Sequence, residues 1–241
     1  MSEQQQPNLK RRSFLTGALI GAGAVGVAAT GGAGAVANAA EPLDVPAPPD
    51  NTPVNGHAPA VPFHGRHQNG ILHGASRQGA FLSCDVIADD KADLTDLFRT
   101  LTDRVRFLTG GGMPEPVGIT APPSDSGVLG PEIPADGLMV TVGVGASLFD
   151  DRYGLAGQKP ARLTAMKEFP NDNLDPAWSH GDLMVQVAAP NPDTVLHAVR
   201  DLTRATRGGM QVRWRLDGFN SVPRPSGTPR NLMGFKDGIS N

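Results

Sequence analysis

Six stretches of this chain fix its architecture before any single residue is weighed, because their hydrophobic periods switch between 2 and 3.6 in a definite order. Ala80, Leu82, Cys84 and Val86 alternate with Phe81, Ser83 and Asp85, which predicts a strand with Cys84 on its apolar face as a small core residue. Leu94, Leu97, Phe98, Leu101, Val105 and Leu108 then fall on one side of a helix, with Asp89 or Asp90 as N-cap and Gly110, Gly111 and Gly112 as its stop. A second strand carries Leu138, Val140, Val142 and Val144 on one face, and a third, 182–188, carries Leu183, Val185 and Val187. Asn191-Pro192 opens a second helix striped by Val195, Leu196, Val199 and Leu202. The last strand is expected to turn Val212, Trp214 and Leu216 inward and Arg213 and Arg215 outward.

The order is βαββαβ. That is the ferredoxin-like arrangement of the α+β class, an antiparallel sheet with both helices on one face. Two inserts, 113–137 and 147–181, exceed the usual loop length, and such inserts often carry function.

Charge and cysteine use exclude several classes. The formal net charge is −3 and no Lys/Arg cluster interleaves with aromatics beyond the first dozen residues, so nucleic acid is not an expected partner. Cys84 is the only cysteine, which rules out an intrachain disulfide and any paired-cysteine zinc spacing. The six histidines are scattered: His57, His64 and His67 in or beside a proline-rich entry, His73 in a loop, His180 before a strand and His197 on a helix. Each reads first as a surface or hydrogen-bonded histidine. His64, His67 and His73 are the residues an alternative copper or iron site would use.

The first 39 residues do not belong to the fold. Lys10-Arg11-Arg12-Ser13-Phe14-Leu15 is a paired-arginine segment ahead of a Gly- and Ala-rich apolar run, and Ala37-Asn38-Ala39 has the small-x-small form of a cleavage site. Seven glycines between Gly17 and Gly34 make that run a poor membrane span. The pattern reads as a twin-arginine (Tat) signal with cleavage after Ala39, addressed to the Tat export machinery and so to the periplasm or cell surface. Residues 40–62 read as a proline-rich spacer, 63–228 as the folded domain, and 229–241 as a separate loop.

That loop reads Gly234-Phe235-Lys236-Asp237-Gly238. Alone it is a glycine-flanked aspartate suited to a turn. Following a ferredoxin-like unit, it resembles the GxxDG motif of dye-decolorising (DyP-type) haem peroxidases. Segments 61–71, 89–94, 147–150, 169–175 and 180–186 resemble the deferrochelatase/peroxidase group of that family, in the right order. The resemblance implies the first half of a duplicated, dimeric α+β barrel-type peroxidase that binds haem b. It implies that Asp237 is the catalytic base, taking a proton from hydrogen peroxide and returning it to the departing oxygen. It implies haem contacts by Gly234, Phe235, Gly238, Ile239 and Ser240, with Ile239-Ser240 standing where the family has Thr-Ala. The proximal histidine and a distal arginine are expected beyond Asn241, so no metal ligand is expected within these residues and residues 40–241 alone are expected to be inactive. Organic electron donors, or haem as a source of iron, are the implied substrates, with homo-oligomers and iron-uptake proteins as implied partners. The alternative reading is an exported, non-catalytic haem- or metal-binding module.

Overall fold

The computed structural model describes residues 57–118 and 120–236; the expected signal at 1–39 and most of the expected spacer at 40–62 lie outside these residues. Strands β1 (Gln78–Val86), β2 (Met139–Val144), β3 (Leu183–Ala189) and β4 (Met210–Phe219) form one antiparallel sheet in the order β2-β3-β1-β4. Helices α1 (Lys91–Gly110) and α2 (Pro192–Ala205) pack over one face. This is the expected ferredoxin-like α+β fold.

The core follows from the alternation. Ala80, Leu82, Cys84 and Val86 meet Leu94, Leu97, Leu101, Val105 and Leu108 of α1 and Val195, Val199 and Leu202 of α2, all nearly inaccessible. Asp90, not Asp89, caps α1, its carboxylate accepting from the Ala92 and Asp93 amides at 2.7 and 2.9 Å. Burial, with Asp85 adding to it, pushes the Cys84 thiol up to about 11, so this cysteine stays a protonated core residue.

Three inward assignments are corrected. Leu196 is 39% exposed, and His197 and Ala198 are buried in its place. The stripe rotates because the 113–137 insert lays Asp125 against α2, 2.6 Å from His197 Nε2. Burial alone would raise the Asp125 carboxyl, but the Gly127 amide, His197 and Arg204 outweigh it and hold it below the usual carboxylate range. Val144, at the end of edge strand β2, is also exposed.

The third correction concerns β4. Ser83 faces Trp214 but Cys84 faces Val212, so Arg213 is an extra residue in a β-bulge. From there the alternation inverts. Trp214 and Leu216 turn to the helix-free face beside Phe81 and Met184, while Arg215 shares the helix face with Leu82. Val212 keeps the helix face but is half-open because β4 is an edge.

The β2 edge is closed by side chains. The Gln68 amide donates to Val142 O at 2.9 Å and accepts from the Val142 amide at 3.0 Å, as a neighbouring peptide would. Asn69 Oδ1 accepts from the Val140 amide, and Thr141 Oγ1 donates to Asn69 O. Gly70 is required there: it sits at φ +89°, and a Cβ would lie 2.5 Å from Thr141 Oγ1. An edge satisfied in this way cannot recruit a foreign strand.

Packing begins slightly ahead of Val61. Ala58 is buried, and its amide donates to Asp136 Oδ1 at 3.1 Å. Asp136 is 1% exposed and also accepts from Asn191 Nδ2 and Thr194 Oγ1. It therefore joins the entry segment, the first insert and the start of α2. Asp136→Ala should cost about 3 kcal/mol, because three buried donors lose their acceptor at once. Urea unfolding of wild type and variant checks this; a loss under about 1 kcal/mol would show that water replaces the carboxylate.

Candidate functional site

β4 leads straight into the loop singled out by the sequence. The exit is fixed by Asn220, whose backbone amide donates to Arg77 O at 2.8 Å and whose side chain donates to Ser76 O at 2.7 Å. A groove of about 540 Å³ follows, between Asp217–Ser221 on one side and Thr228–Leu232 on the other.

The loop beyond it is folded around Asn231. Asn231 Oδ1 accepts from the Met233 and Phe235 amides at 3.1 and 3.0 Å, and the Asn231 amide donates to Phe235 O at 2.9 Å. Gly234 turns at φ +89° with open space where a Cβ would project. Arg230 donates to Gly234 O and Lys236 Nζ to Ser226 O, closing the turn at its base. So tight a turn leaves its apolar side chains no interior to enter: Leu232, Met233 and Phe235 are 88%, 81% and 64% exposed. Of the expected site residues, Gly234 and Phe235 are placed here. Asp237, Gly238, Ile239 and Ser240 lie outside the described residues.

The helix-free face adjoins the loop through β4. Phe81, Met184, Trp214 and Leu216 give it a broken apolar surface. At one end it is bounded by the second insert. Trp214 Nε1 donates to His180 O at 3.2 Å, Ser83 Oγ donates to the same carbonyl, and Arg213 reaches Pro176 O and Asp85. His180 adopts φ +62°, and Gly181 beside it has no room for a side chain against Ser83.

Behind the insert lies an unforeseen polar hub. Arg152 binds Asp150 Oδ2 at 2.7 Å, Asp182 Oδ2 at 3.0 Å, Val86 O at 3.0 Å and Ser147 O at 3.2 Å. Desolvation acts against the guanidinium, but the two aspartates outweigh it and keep it pushed up. Partial burial likewise acts against the Asp150 carboxylate, and the Arg152 amide and guanidinium still hold it below its usual range. Burial pushes up the Tyr153 hydroxyl, which donates to Ala88 O at 2.9 Å. The sequence did carry a signal: 147–150 and 180–186 were both among the family-like segments, and they meet at this arginine.

Among the described residues no three His, Cys, Asp or Glu side chains converge, so His64, His67 and His73 do not assemble the alternative metal site. His73 Nδ1 instead takes the Gly70 N–H, and His64 packs edge-on against Phe63. The described residues fit one apolar wall of a pocket for a flat macrocycle, made by Leu232, Met233 and Phe235 over an unobstructed Gly234 turn.

Comparison with known proteins identifies the family of the sheet that carries this loop. A model of the family described as Dyp-type peroxidase, N-terminal, matches residues 68–220, and the chain belongs to that family. It is similar to the deferrochelatase of Escherichia coli (strain K12), 50% identical over 185 residues, or 75% of this chain and 44% of the relative. A DyP-type peroxidase from Streptomyces coelicolor superposes with a TM-score of 0.66 at 35% identity, covering 79% of this chain and 50% of that one. DtpA from Streptomyces lividans, solved as an oxyferrous complex, gives 0.66 at 35% identity, covering 79% and 51%. The chain thus spans less than half the length of the curated relatives it matches.

Proposed function

We propose that the protein carrying this chain is an exported haem b-dependent peroxidase, and that this chain supplies the peroxide-side loop. The observation that carries the reading is a loop with open backbone at Gly234, presented by β4 of a family-matched sheet and running directly into Asp237. The oxyferrous state of the Streptomyces lividans relative supports iron chemistry on this frame.

In this reading Leu232, Met233 and Phe235, with Gly238, Ile239 and Ser240, would hold one face of the haem. Bound haem supplies the two-electron reduction of hydrogen peroxide to water and the oxidation of a donor. Asp237 holds and moves the proton: it accepts one from peroxide at a carboxylate oxygen and gives it to the leaving oxygen, so it must be ionised at working pH. The apolar wall keeps bulk water from competing as proton donor. Peroxide-dependent dye oxidation by the full-length protein reconstituted with haem tests this; activity no higher than that of free haem would overturn it.

Identity to deferrochelatases supports a second product from the same pocket, iron released from haem. Recovery of fluorescent metal-free porphyrin together with free iron would establish it. Intact haem after prolonged incubation would leave only the peroxidase.

Export is read from Arg11 and Arg12. Replacing both with lysine should abolish secretion by the twin-arginine route, since that receptor reads the arginine pair itself and not its charge. Immunoblotting of exported and retained fractions measures it; unchanged secretion would point to the general secretory route.

A further inference from the structure

A cationic groove lies where α2 meets the first insert. Arg200, Arg204 and Arg207 line it together with Ser126, Thr203 and Asp201, around a volume of about 420 Å³. We infer that this groove is a binding site for a ligand carrying two linked phosphate groups.

The argument starts from how the helices treat their arginines. On α1, Arg99 and Arg106 are each neutralised by an aspartate three residues earlier, at 3.0 and 2.7 Å. On α2 the only carboxylate in the groove, Asp201, is already committed. It is buried and held by both arms of Arg104 at 2.8 Å, with Arg204 a further 3.5 Å contact. Arg204 also donates to Pro123 O and Ser124 O, which pins the insert as the groove's second wall. Arg200 and Arg207 are exposed and make no ion pair among the described residues, so no carboxylate there compensates their charge.

A helix C-terminus favours cations, but that effect is confined to the last turn and does not account for Arg200, five residues before the helix end at Ala205. Arg200 is on α2 and Arg207 lies in the turn just past its end at Ala205, so the two guanidiniums line the groove from separate elements. Two linked phosphates can offer each of these uncompensated guanidiniums its own two-oxygen edge. Ser126 adds a hydroxyl at the rim. The site stands apart from the loop after β4, and nothing in it depends on haem.

Isothermal titration of the full-length protein with pyrophosphate, and separately with inorganic phosphate, tests the inference. Vesicles containing cardiolipin, whose headgroup carries two phosphates, distinguish a lipid source from a soluble one. Pyrophosphate or the vesicles should bind at least about tenfold more tightly than inorganic phosphate, and the Arg200→Gln/Arg207→Gln double variant should lose about tenfold or more. Both substitutions are at exposed residues with no side-chain partner among the described residues, so circular dichroism should be unchanged. Binding that survives in the double variant, or no binding of either two-phosphate probe by wild type, would overturn the proposal.

Discussion

Asp237→Asn in the full-length protein should retain haem and react with hydrogen peroxide about 10²–10⁴-fold more slowly than wild type. The substitution is nearly isosteric, so the turn at Gly234 ahead of it is expected to keep its shape. An amide cannot take the peroxide proton, and the step that needs the proton moved loses its base. Stopped-flow absorbance after mixing with peroxide measures the rate, and the resting spectrum reports haem occupancy. The pH profile separates this role from simple crowding: wild type should lose its rate as the carboxylate protonates in acid, and Asp237→Asn should be flat there. A wild-type rate in the variant would move proton transfer to another group, the distal arginine expected in the remainder of the protein or a water.

How much of this was legible in the sequence depended on range. β1 and both helices were readable because their periodicities are local and their partners are apolar. Any hydrophobic face of the right period finds a core, and Ala80 to Val86 and Leu94 to Leu108 did so. An aspartate cap at 89 or 90 and a glycine stop within 110–112 were readable for the same reason, since a cap is settled within a few residues; the fold selects Asp90 and Gly111.

The errors came where distant groups decide. Gln211 to Leu216 alternates without a flaw, and nothing in it announces a bulge. Arg213 leaves the register with its guanidinium on Asp85 and Pro176 O, which come from other parts of the chain. Leu196 lost its place to His197 because a carboxylate 72 residues away made burial of a polar ring affordable. Nothing local to Gln68 and Asn69 announces that they close the edge of a strand 71–74 residues away. The resemblance carried more than local pattern could: 61–71 closes the β2 edge, and 147–150 and 180–186 converge on Arg152, so those similar stretches mark the joints of the fold. Of the candidate site, the turn and its apolar wall are described, while the placement of Asp237 rests on the motif.

Residues 40–241 produced alone and mixed with hemin should show no peroxide-dependent dye oxidation above that of free hemin. Iron in a working peroxidase needs a fixed axial ligand to set its reactivity. The histidines described here are in the wrong places. His197 is buried and already bound to Asp125, and the His180 carbonyl is locked under Trp214 in the second insert. His64 and His67 belong to the segment covering β2, whereas the loop at 229–236 leaves β4 at the opposite edge of the sheet. Four strands at about 4.8 Å spacing put those edges about 14 Å apart, too far for either histidine to ligate iron held against that loop. The helix-free face adds a second difficulty. Phe81, Met184, Trp214 and Leu216 there, and Leu232, Met233 and Phe235 on the loop, are apolar surface that a single sheet cannot bury. Such a patch draws copies together, so light scattering should rise with concentration and a hydrophobic dye should bind. A sharp histidine-ligated haem spectrum with steady turnover from a monodisperse preparation would overturn the expectation, and it would mean that one of these six histidines moves to the loop and completes the pocket.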